Sequence, residues 1–240
     1  MTSSSPLTLQ AFDFITGDKA VPVDYQQAYT AMRRFTRDHV TQSARANDQL
    51  WVLEHTPVFT QGQAGKPEHV IGDLPAPLVE TDRGGQVTYH GPGQIMGYLL
   101  ADLRRLELNV RTLVQALENA VIQMLAQYDI VAVADRKAPG VYVRGEKIAA
   151  LGLRVKQGRC YHGLCFNYDF DASAFQAINP CGYEGMQVTQ LADLLSPLPQ
   201  KTDIVAKLVT CLSECLGYDG VEISQQDWAS KILREAETPG

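Results

Sequence analysis

One cysteine in the sequence lies in a setting that suits a nucleophile. Cys181 follows Pro180 and precedes Gly182, in a segment (178–185) with too many turn-forming residues for regular structure. The flanking glycine permits close approach of another molecule's reacting carbon. A nucleophilic thiol is therefore one interpretation of Cys181, and an idle surface thiol is the alternative.

The other four cysteines are predicted to serve in packing. Cys211 and Cys215 are four residues apart on the apolar face of a predicted helix. Cys160, His162 and Cys165 have a spacing that invites a metal site. On an extended strand, residues 160 and 162 would share one face and residue 165 would point to the other. One ion could not easily collect all three and no fourth ligand is evident, so no metal site is predicted.

A cysteine nucleophile needs an activator, because a free thiol with a pKa of about 8.5 is mostly protonated at neutral pH. Histidine is the usual activator, and the chain has five: His39, His55, His69, His90 and His162. A lysine can also serve, since its ammonium favours the thiolate and its neutral amine accepts a proton. Lys147 opens an apolar strand just after the turn residue Gly145. The alternative for Lys147 is a solvated hairpin residue.

The segment 82–94 is the strongest local signal for a binding loop. Its glycines alternate with polar and aromatic residues that include Arg83, Thr88, Tyr89 and His90. Such a loop lets backbone amides converge on a bound group. It is neither a Walker loop nor a dinucleotide-binding loop, because the Gly-Lys-Ser/Thr ending and the following helix are missing. We favour a functional loop over a structural turn.

Composition narrows the class of protein. The chain has 240 residues, 45% of them hydrophobic and 20% charged, with a net charge of −6. These values are ordinary for a globular protein and argue against nucleic-acid binding. The apolar stretch 95–101 is too short to cross a membrane, and residues 1–10 do not form a secretory signal. We therefore expect a cytoplasmic protein with reduced thiols, no nucleic-acid partner and no membrane association.

Charge is unevenly distributed along the chain. Residues 131–160 contain seven basic and two acidic side chains, a local charge of +5. This segment would suit an acidic partner, although a solvated basic hairpin is an equal alternative.

Hydrophobic periodicity predicts both helices and strands. Helices are expected at 24–45 (capped by Asp24 with Gln27), 110–128 (capped by Asn109) and 203–216 (capped by Thr202 and ended by Gly217). Strands are expected at 50–55, 78–81, 94–100, 130–134, 140–143, 147–155 and 160–168, the last two joined by a turn at 156–159. Their irregular order predicts an α/β (α+β) fold in which helices flank a mixed β-sheet. We expect one domain, 1–240, in which residues 1–22 form an N-terminal extension.

Four segments together resemble the lipoyl(octanoyl) transferase family. They are the glycine-rich loop 83–94, the strand 145–154, the strand 161–167 and the loop Asn179-Pro-Cys-Gly182. Their order and spacing agree with the family from about residue 50 to residue 195. The differences are small: Ala150 stands where members often have Ser, and Cys165 where Ala is common.

The resemblance implies a fold shared with lipoate and biotin protein ligases. It implies Cys181 as the residue that carries the acyl group in a thioester, and Lys147 as its catalytic partner. The implied acyl site is lined by Arg83, Gly84, Gly85, Gln86, Val87, Thr88, Tyr89, His90, Ala150, Leu151, Gly152, Gly163, Leu164 and Cys165.

The resemblance also implies the substrates. An octanoyl group would pass from the phosphopantetheine of acyl carrier protein to a lysine of an apo lipoyl domain, the first step of endogenous protein lipoylation. The recipients would be the lipoyl domains of 2-oxoacid dehydrogenase complexes and the H protein of glycine cleavage. No further cofactor is implied.

Three other functions are compatible with parts of this pattern. An ATP-dependent lipoate or biotin ligase of the same fold would activate a free acid and need no cysteine. An amidotransferase would take octanoyl from an already modified lipoyl domain. A carrier-binding module without activity would have no use for Lys147 beside Cys181.

Overall fold

The structure, a computed structural model, describes residues 6–16, 21–41, 47–182 and 185–225. The strands are β1 (Thr8–Asp13), β2 (Gln49–Leu53), β3 (Val58–Gln61), β4 (Leu78–Glu80), β5 (Val87–His90), β6 (Gln94–Asp102), β7 (Val133–Ala134), β8 (Gly140–Val143), β9 (Glu146–Lys156), β10 (Arg159–Asn167) and β11 (Gly220–Gln225). The helices are α1 (Tyr25–Thr41), α2 (Val110–Ala126), α3 (Leu191–Leu194) and α4 (Lys201–Leu216).

The strands form two sheets. The larger has eight strands in the order β11-β1-β2-β6-β10-β9-β8-β7. Strand β1 runs parallel to both β2 and β11, and the other neighbours in this sheet are antiparallel. The smaller sheet has the order β4-β3-β5 and carries the glycine-rich loop on β5. The predicted mixed sheet flanked by helices is confirmed.

The larger sheet buries both faces. In β2, Leu50 and Val52 pack with α2 and α4, whereas Trp51 and Leu53 pack with α1 on the opposite face. This alternation follows from the two-residue repeat of an extended strand. Across residues 6–16, 21–41, 47–182 and 185–225, no helix has both the length and the apolar character needed to cross a bilayer.

The helix predictions agree with the structure except at their ends. Asp24 accepts a hydrogen bond from the Gln27 N–H (3.0 Å), and Asn109 forms a capping box with Thr112. Helix α4 ends as predicted at Gly217, which adopts the left-handed conformation with φ of +83°. The predicted Thr202 cap is wrong, since α4 already begins at Lys201. Part of the first predicted helix, residues 42–45, lies outside the described residues.

Most predicted strands are present, but four observed strands lie outside every predicted element. These are β1, β3, β5 and β11. Strands β1 and β11 pair with each other although more than 200 residues separate them in sequence, so no local pattern predicts this pairing. Strand β1 also belongs to the segment 1–22, for which the sequence predicts no element, and it occupies an interior position in the larger sheet.

The side-chain alternation predicted for β10 is wrong at His162. Cys160 packs on the α2 side of the sheet and Cys165 on the α1 side, as predicted. His162 has a φ of +63°, a left-handed conformation that interrupts the alternation of the strand. Its ring stacks on Tyr29 of α1 (5.5 Å between centroids) and on its neighbour Tyr161 (5.0 Å). His162 therefore lies on the side opposite Cys160.

We expect the close approach of β6 and β10 to depend on Gly163. A β-carbon at this position would lie 2.0 Å from the carbonyl oxygen of Gly97. Gly163→Ala should therefore lower the free energy of unfolding by about 3 kcal/mol, because the strands must move apart. Gly220→Ala in β11 is the matched control, since nothing lies within 4 Å of its added carbon. Chemical denaturation of both variants checks this, and equal stabilities would contradict the packing described.

Candidate active site

A small pocket with an internal volume of about 50 Å³ lies between the glycine-rich loop and the centre of the larger sheet. Twelve of the residues that the sequence assigns to the acyl site line it: Arg83, Gly85, Gln86, Val87, Thr88, His90, Ala150, Leu151, Gly152, Gly163, Leu164 and Cys165. Strand β5 and the hairpin formed by β9 and β10, which are distant from each other in sequence, thus converge on one cavity.

Two residues assigned to the acyl site do not line the pocket. The N–H of Gly84 donates to the carbonyl of Leu153 (2.8 Å), which joins the loop to β9. Tyr89 packs against Phe59 and Phe175, with ring centroids at 5.2 and 6.1 Å. Tyr89 belongs instead to a separate core cluster that includes Phe59, Ala174 and Ile178.

Four lining residues were not predicted to belong to the acyl site: Tyr25, Met96, Tyr98 and His162. Met96 and Tyr98 belong to a strand that was predicted, but its neighbours and register were unknown. Tyr25 is the first residue of α1. The positive φ of His162 turns its side chain toward the pocket, and no sequence pattern predicts such a φ.

The guanidinium of Arg83 holds the glycine-rich loop in shape. It donates to the backbone oxygen of Thr60 (2.7 Å), to its hydroxyl (2.8 Å) and to the carbonyl oxygens of Gly84 and Gln86 (2.8 Å each). Only 7% of Arg83 is exposed. The planar fork of donors suits several fixed acceptors at once. Arg83 therefore shapes the pocket wall chiefly by fixing the backbone of the glycine-rich loop and of its neighbour Thr60.

A cluster of buried histidines borders the pocket, and His90 and His162 belong to its lining. The ring of His55 bonds the carbonyl of Val23 (2.8 Å) and the hydroxyl of Tyr98 (2.7 Å). Burial lowers the pKa of His55 to about 4. Burial also lowers the pKa of His90 and of His162. The positive charge of Arg83 lowers the pKa of both rings further. These rings are therefore neutral at neutral pH, which suits the apolar pocket that they border.

Asp82 anchors the loop to β10. Its carboxylate accepts hydrogen bonds from Tyr161 and from His162 (3.3 Å). Burial raises the pKa of Asp82, but these hydrogen bonds outweigh it and hold the pKa below its ordinary value. An ionised carboxylate thus fixes the strand on which the pocket-lining Gly163 lies.

The four cysteines assigned to packing are poorly suited to nucleophilic chemistry. Burial raises the pKa of Cys160 and of Cys165 to about 12. Burial also raises the pKa of Cys211 and of Cys215. Their thiols therefore stay protonated. Among residues 6–16, 21–41, 47–182 and 185–225, no three His, Cys, Asp or Glu side chains are grouped as metal ligands.

The backbone of the Cys181 loop lies beside the pocket. Pro180–Gly182 forms a single 3₁₀ turn, in which Gly182 has a φ of +74°. A β-carbon on Gly182 would lie 3.3 Å from Cγ of Gln86, a pocket residue, and 3.1 Å from Nε2 of His69. The side chain of Cys181 lies outside the described part of the chain. The turn itself nevertheless brings this residue's backbone to the pocket wall.

Lys147 is buried and is not a solvated hairpin residue. Only 3% of it is exposed. Its ammonium donates to the carbonyl of Pro139 (3.3 Å) and lies 5.2 Å from the ring centre of Tyr142. Its backbone N–H donates to Gln187 and its carbonyl accepts from Thr189, both at 3.0 Å. The lysine therefore pairs with the segment that follows the Cys181 loop.

Comparison with known proteins identifies the family. The family model described as "Lipoyl protein ligase A/B catalytic domain" matches residues 24–228. An octanoyltransferase of Stutzerimonas stutzeri is 52% identical over 196 residues, which cover 82% of this chain and 88% of that protein. An octanoyltransferase of Nitrosomonas europaea is 55% identical over 171 residues, 71% of this chain and 82% of that protein.

Solved structures support the same fold. A lipoate-protein ligase A bound with ATP superposes with a TM-score of 0.71 at 13% identity, covering 98% of this chain and 97% of that one. A bipartite lipoate protein ligase of Thermoplasma acidophilum superposes with a TM-score of 0.69 at 14% identity, covering 97% and 92%. Together with the family model, this fold defines a protein of the lipoyl protein ligase A/B class.

The chain belongs to the lipoyl protein ligase A/B catalytic domain family. Its relatives at about half identity over most of both chains are octanoyltransferases. The resemblance and the predicted enzyme class, an acyltransferase, are confirmed.

The buried histidines predict a specific pH dependence of stability. The folded-state pKa of His55, about 4, is below the unfolded value of about 6.5. Between these values the unfolded chain binds the extra proton, so stability falls as the pH falls. His55→Gln should therefore reduce the slope of unfolding free energy against pH by about 1.4 kcal/mol per unit between roughly pH 4.5 and 6. Denaturation at a series of pH values measures it, and equal slopes would contradict the assignment.

Proposed function

We propose that this protein transfers an octanoyl group from acyl carrier protein to a lysine of an apo lipoyl domain, with a thioester on Cys181 as the intermediate. The observation that carries the proposal is the contact between pocket and loop: Gln86 lines the pocket and lies against Gly182. An acyl chain in the pocket would thus have its carbonyl end beside the Cys181 backbone. The octanoyltransferase relatives support this choice of acyl group.

The pocket suits a medium-length acyl chain. Its lining residues include the apolar Met96, Ala150 and Cys165. Each buried methylene contributes about 0.8 kcal/mol, so the six methylenes of an octanoyl chain could contribute about 5 kcal/mol. Hydrophobic burial is sufficient to hold such a chain, and its neutral histidine neighbours impose no charge on it.

In the first half of the reaction, the Cys181 thiolate attacks the carrier thioester. A bond forms between its sulfur and the acyl carbon, and the bond to the phosphopantetheine sulfur breaks. The ammonium of Lys147 stabilises the Cys181 thiolate before attack and gives its proton to the departing thiolate. One thioester replaces another, so this step is nearly isoenergetic.

In the second half, the amine of the recipient lysine attacks the thioester. The carbon–nitrogen bond forms, Cys181 leaves as a thiolate, and neutral Lys147 takes the proton that the amine loses. Conversion of a thioester into an amide is downhill, so the transfer requires no ATP and no further cofactor. Each catalytic group is thereby returned to its starting state.

The basic segment 131–160 offers a docking surface for acyl carrier protein, which is an acidic partner. Of its seven basic residues, Lys147 and Arg159 are buried, and Arg159 is paired with Asp102 (3.4 Å). Arg136, Lys137, Arg144 and Lys156 are exposed. Lys137 and Arg144 border a surface concavity of about 590 Å³ that includes Gly185, Met186 and Gln187, just beyond the Cys181 loop. Acidic carriers would be attracted to this side of the molecule.

The recipients that we propose are the apo lipoyl domains of 2-oxoacid dehydrogenase complexes and the glycine cleavage H protein.

The second candidate function is an ATP-dependent ligase, favoured by the fold shared with an ATP-bound lipoate-protein ligase. The two differ in their use of Cys181 and of nucleotide. A ligase needs ATP and a free acid, whereas the transferase needs neither.

A transfer assay separates these functions. We expect an apo lipoyl domain to gain the mass of one octanoyl group from octanoyl carrier protein without ATP, and to gain nothing from octanoate with ATP. Cys181→Ala should reduce transfer at least about 10³-fold, because the covalent route is lost. Cys211→Ala, a core cysteine of α4, is the matched control and should transfer normally. Transfer that depends on ATP, or that survives Cys181→Ala, would refute the proposal.

A further inference from the structure

A buried carboxylate lies behind the catalytic lysine. Glu118 is on α2, among the core side chains of that helix, and only 7% of it is exposed. Its Oε1 accepts a hydrogen bond from the N–H of Gly140 (2.9 Å). Burial raises the pKa of Glu118, while this hydrogen bond and the charge of Lys147 lower it. A buried acid is costly unless it is bonded, and the Gly140 N–H supplies such a bond.

The Gly140 N–H belongs to the Pro139–Gly140 peptide, which also forms a hydrogen bond with Lys147. The carbonyl of that peptide is the oxygen of Pro139, which accepts from the Lys147 ammonium at 3.3 Å. In a trans peptide the N–H and the C=O point in opposite directions. Glu118 therefore bonds one end of the peptide and Lys147 bonds the other.

Gly140 leaves room for the lysine. A β-carbon on Gly140 would lie 3.0 Å from Cε of Lys147 and 3.3 Å from its Nζ. Gly140 also has a φ of +151°, which other residues rarely adopt. The ammonium thus lies close to the Pro139–Gly140 peptide, to which Glu118 is also hydrogen-bonded.

We propose that Glu118 is a positioning residue for the transfer reaction, which fixes the Pro139–Gly140 peptide so that its carbonyl orients the ammonium of Lys147. A carboxylate at the N–H end also polarises the peptide and strengthens the carbonyl as an acceptor. This inference rests on the proposed function, because it assigns Lys147 its catalytic role. Glu118 itself touches neither the substrate nor the reacting atoms.

Kinetics of octanoyl transfer with Glu118 variants of the full-length enzyme test this role. Glu118→Ala removes the acceptor, and we expect kcat to fall at least about tenfold. We expect KM for octanoyl carrier protein to stay within about twofold, since neither pocket nor docking surface is altered. Glu118→Gln retains a side-chain oxygen that can accept from Gly140, and it should restore kcat to within about threefold of the parent.

Leu125→Ala is the control for a merely structural effect. Leu125 is fully buried on the same helix, so its loss should lower the thermal unfolding midpoint while leaving kcat unchanged. The inference is overturned if kcat of Glu118→Ala stays near that of the parent, if Leu125→Ala loses kcat equally, or if Glu118→Gln is as impaired as Glu118→Ala. If the parent enzyme transfers no octanoyl group, the proposed function fails instead.

Discussion

The side-chain amide of Asn167 joins the segments from which the site is built. Its oxygen accepts from Gln94 (2.8 Å), whose own amide oxygen accepts from the Gly91 N–H (3.0 Å). Its nitrogen donates to the carbonyl of Thr189 at 2.9 Å. Only 5% of Asn167 is exposed, and a buried amide must have its partners satisfied. The glycine-rich loop, β10 and the segment after the Cys181 loop are consequently held in one relative position.

The local features of this fold were predictable, whereas the contacts between distant segments were not. The Asn109 cap and the Gly217 stop depend on residues within one turn of the helix, and both were predicted correctly. The parallel pairing of β1 with β11 depends on partners at opposite ends of the chain. His162 shows a second limit, because one positive φ moves a side chain to the other face of a sheet.

The candidate site was predicted to a similar degree. Twelve of the fourteen residues that the family resemblance assigns to the acyl site meet at one pocket, although the segments that carry them are far apart in sequence. Glu118 was missed because it occupies the buried side of a helix whose pattern predicts only packing. Its role becomes visible only when the partner of the Gly140 N–H is known.

The fold by itself does not determine the chemistry, because a lipoate-protein ligase that binds ATP has the same architecture. In the proposed mechanism, the energy for amide formation is supplied by the carrier thioester.

The central claim is that the acyl group passes through Cys181. The most direct measurement mixes the enzyme with octanoyl carrier protein, without an acceptor domain, and locates the added mass by peptide mass spectrometry. The account predicts one octanoyl group on the peptide containing Cys181, which hydroxylamine removes and an added apo lipoyl domain consumes. An octanoyl group that still appears on the Cys181→Ala enzyme, or an adduct that the lipoyl domain cannot consume, would contradict it.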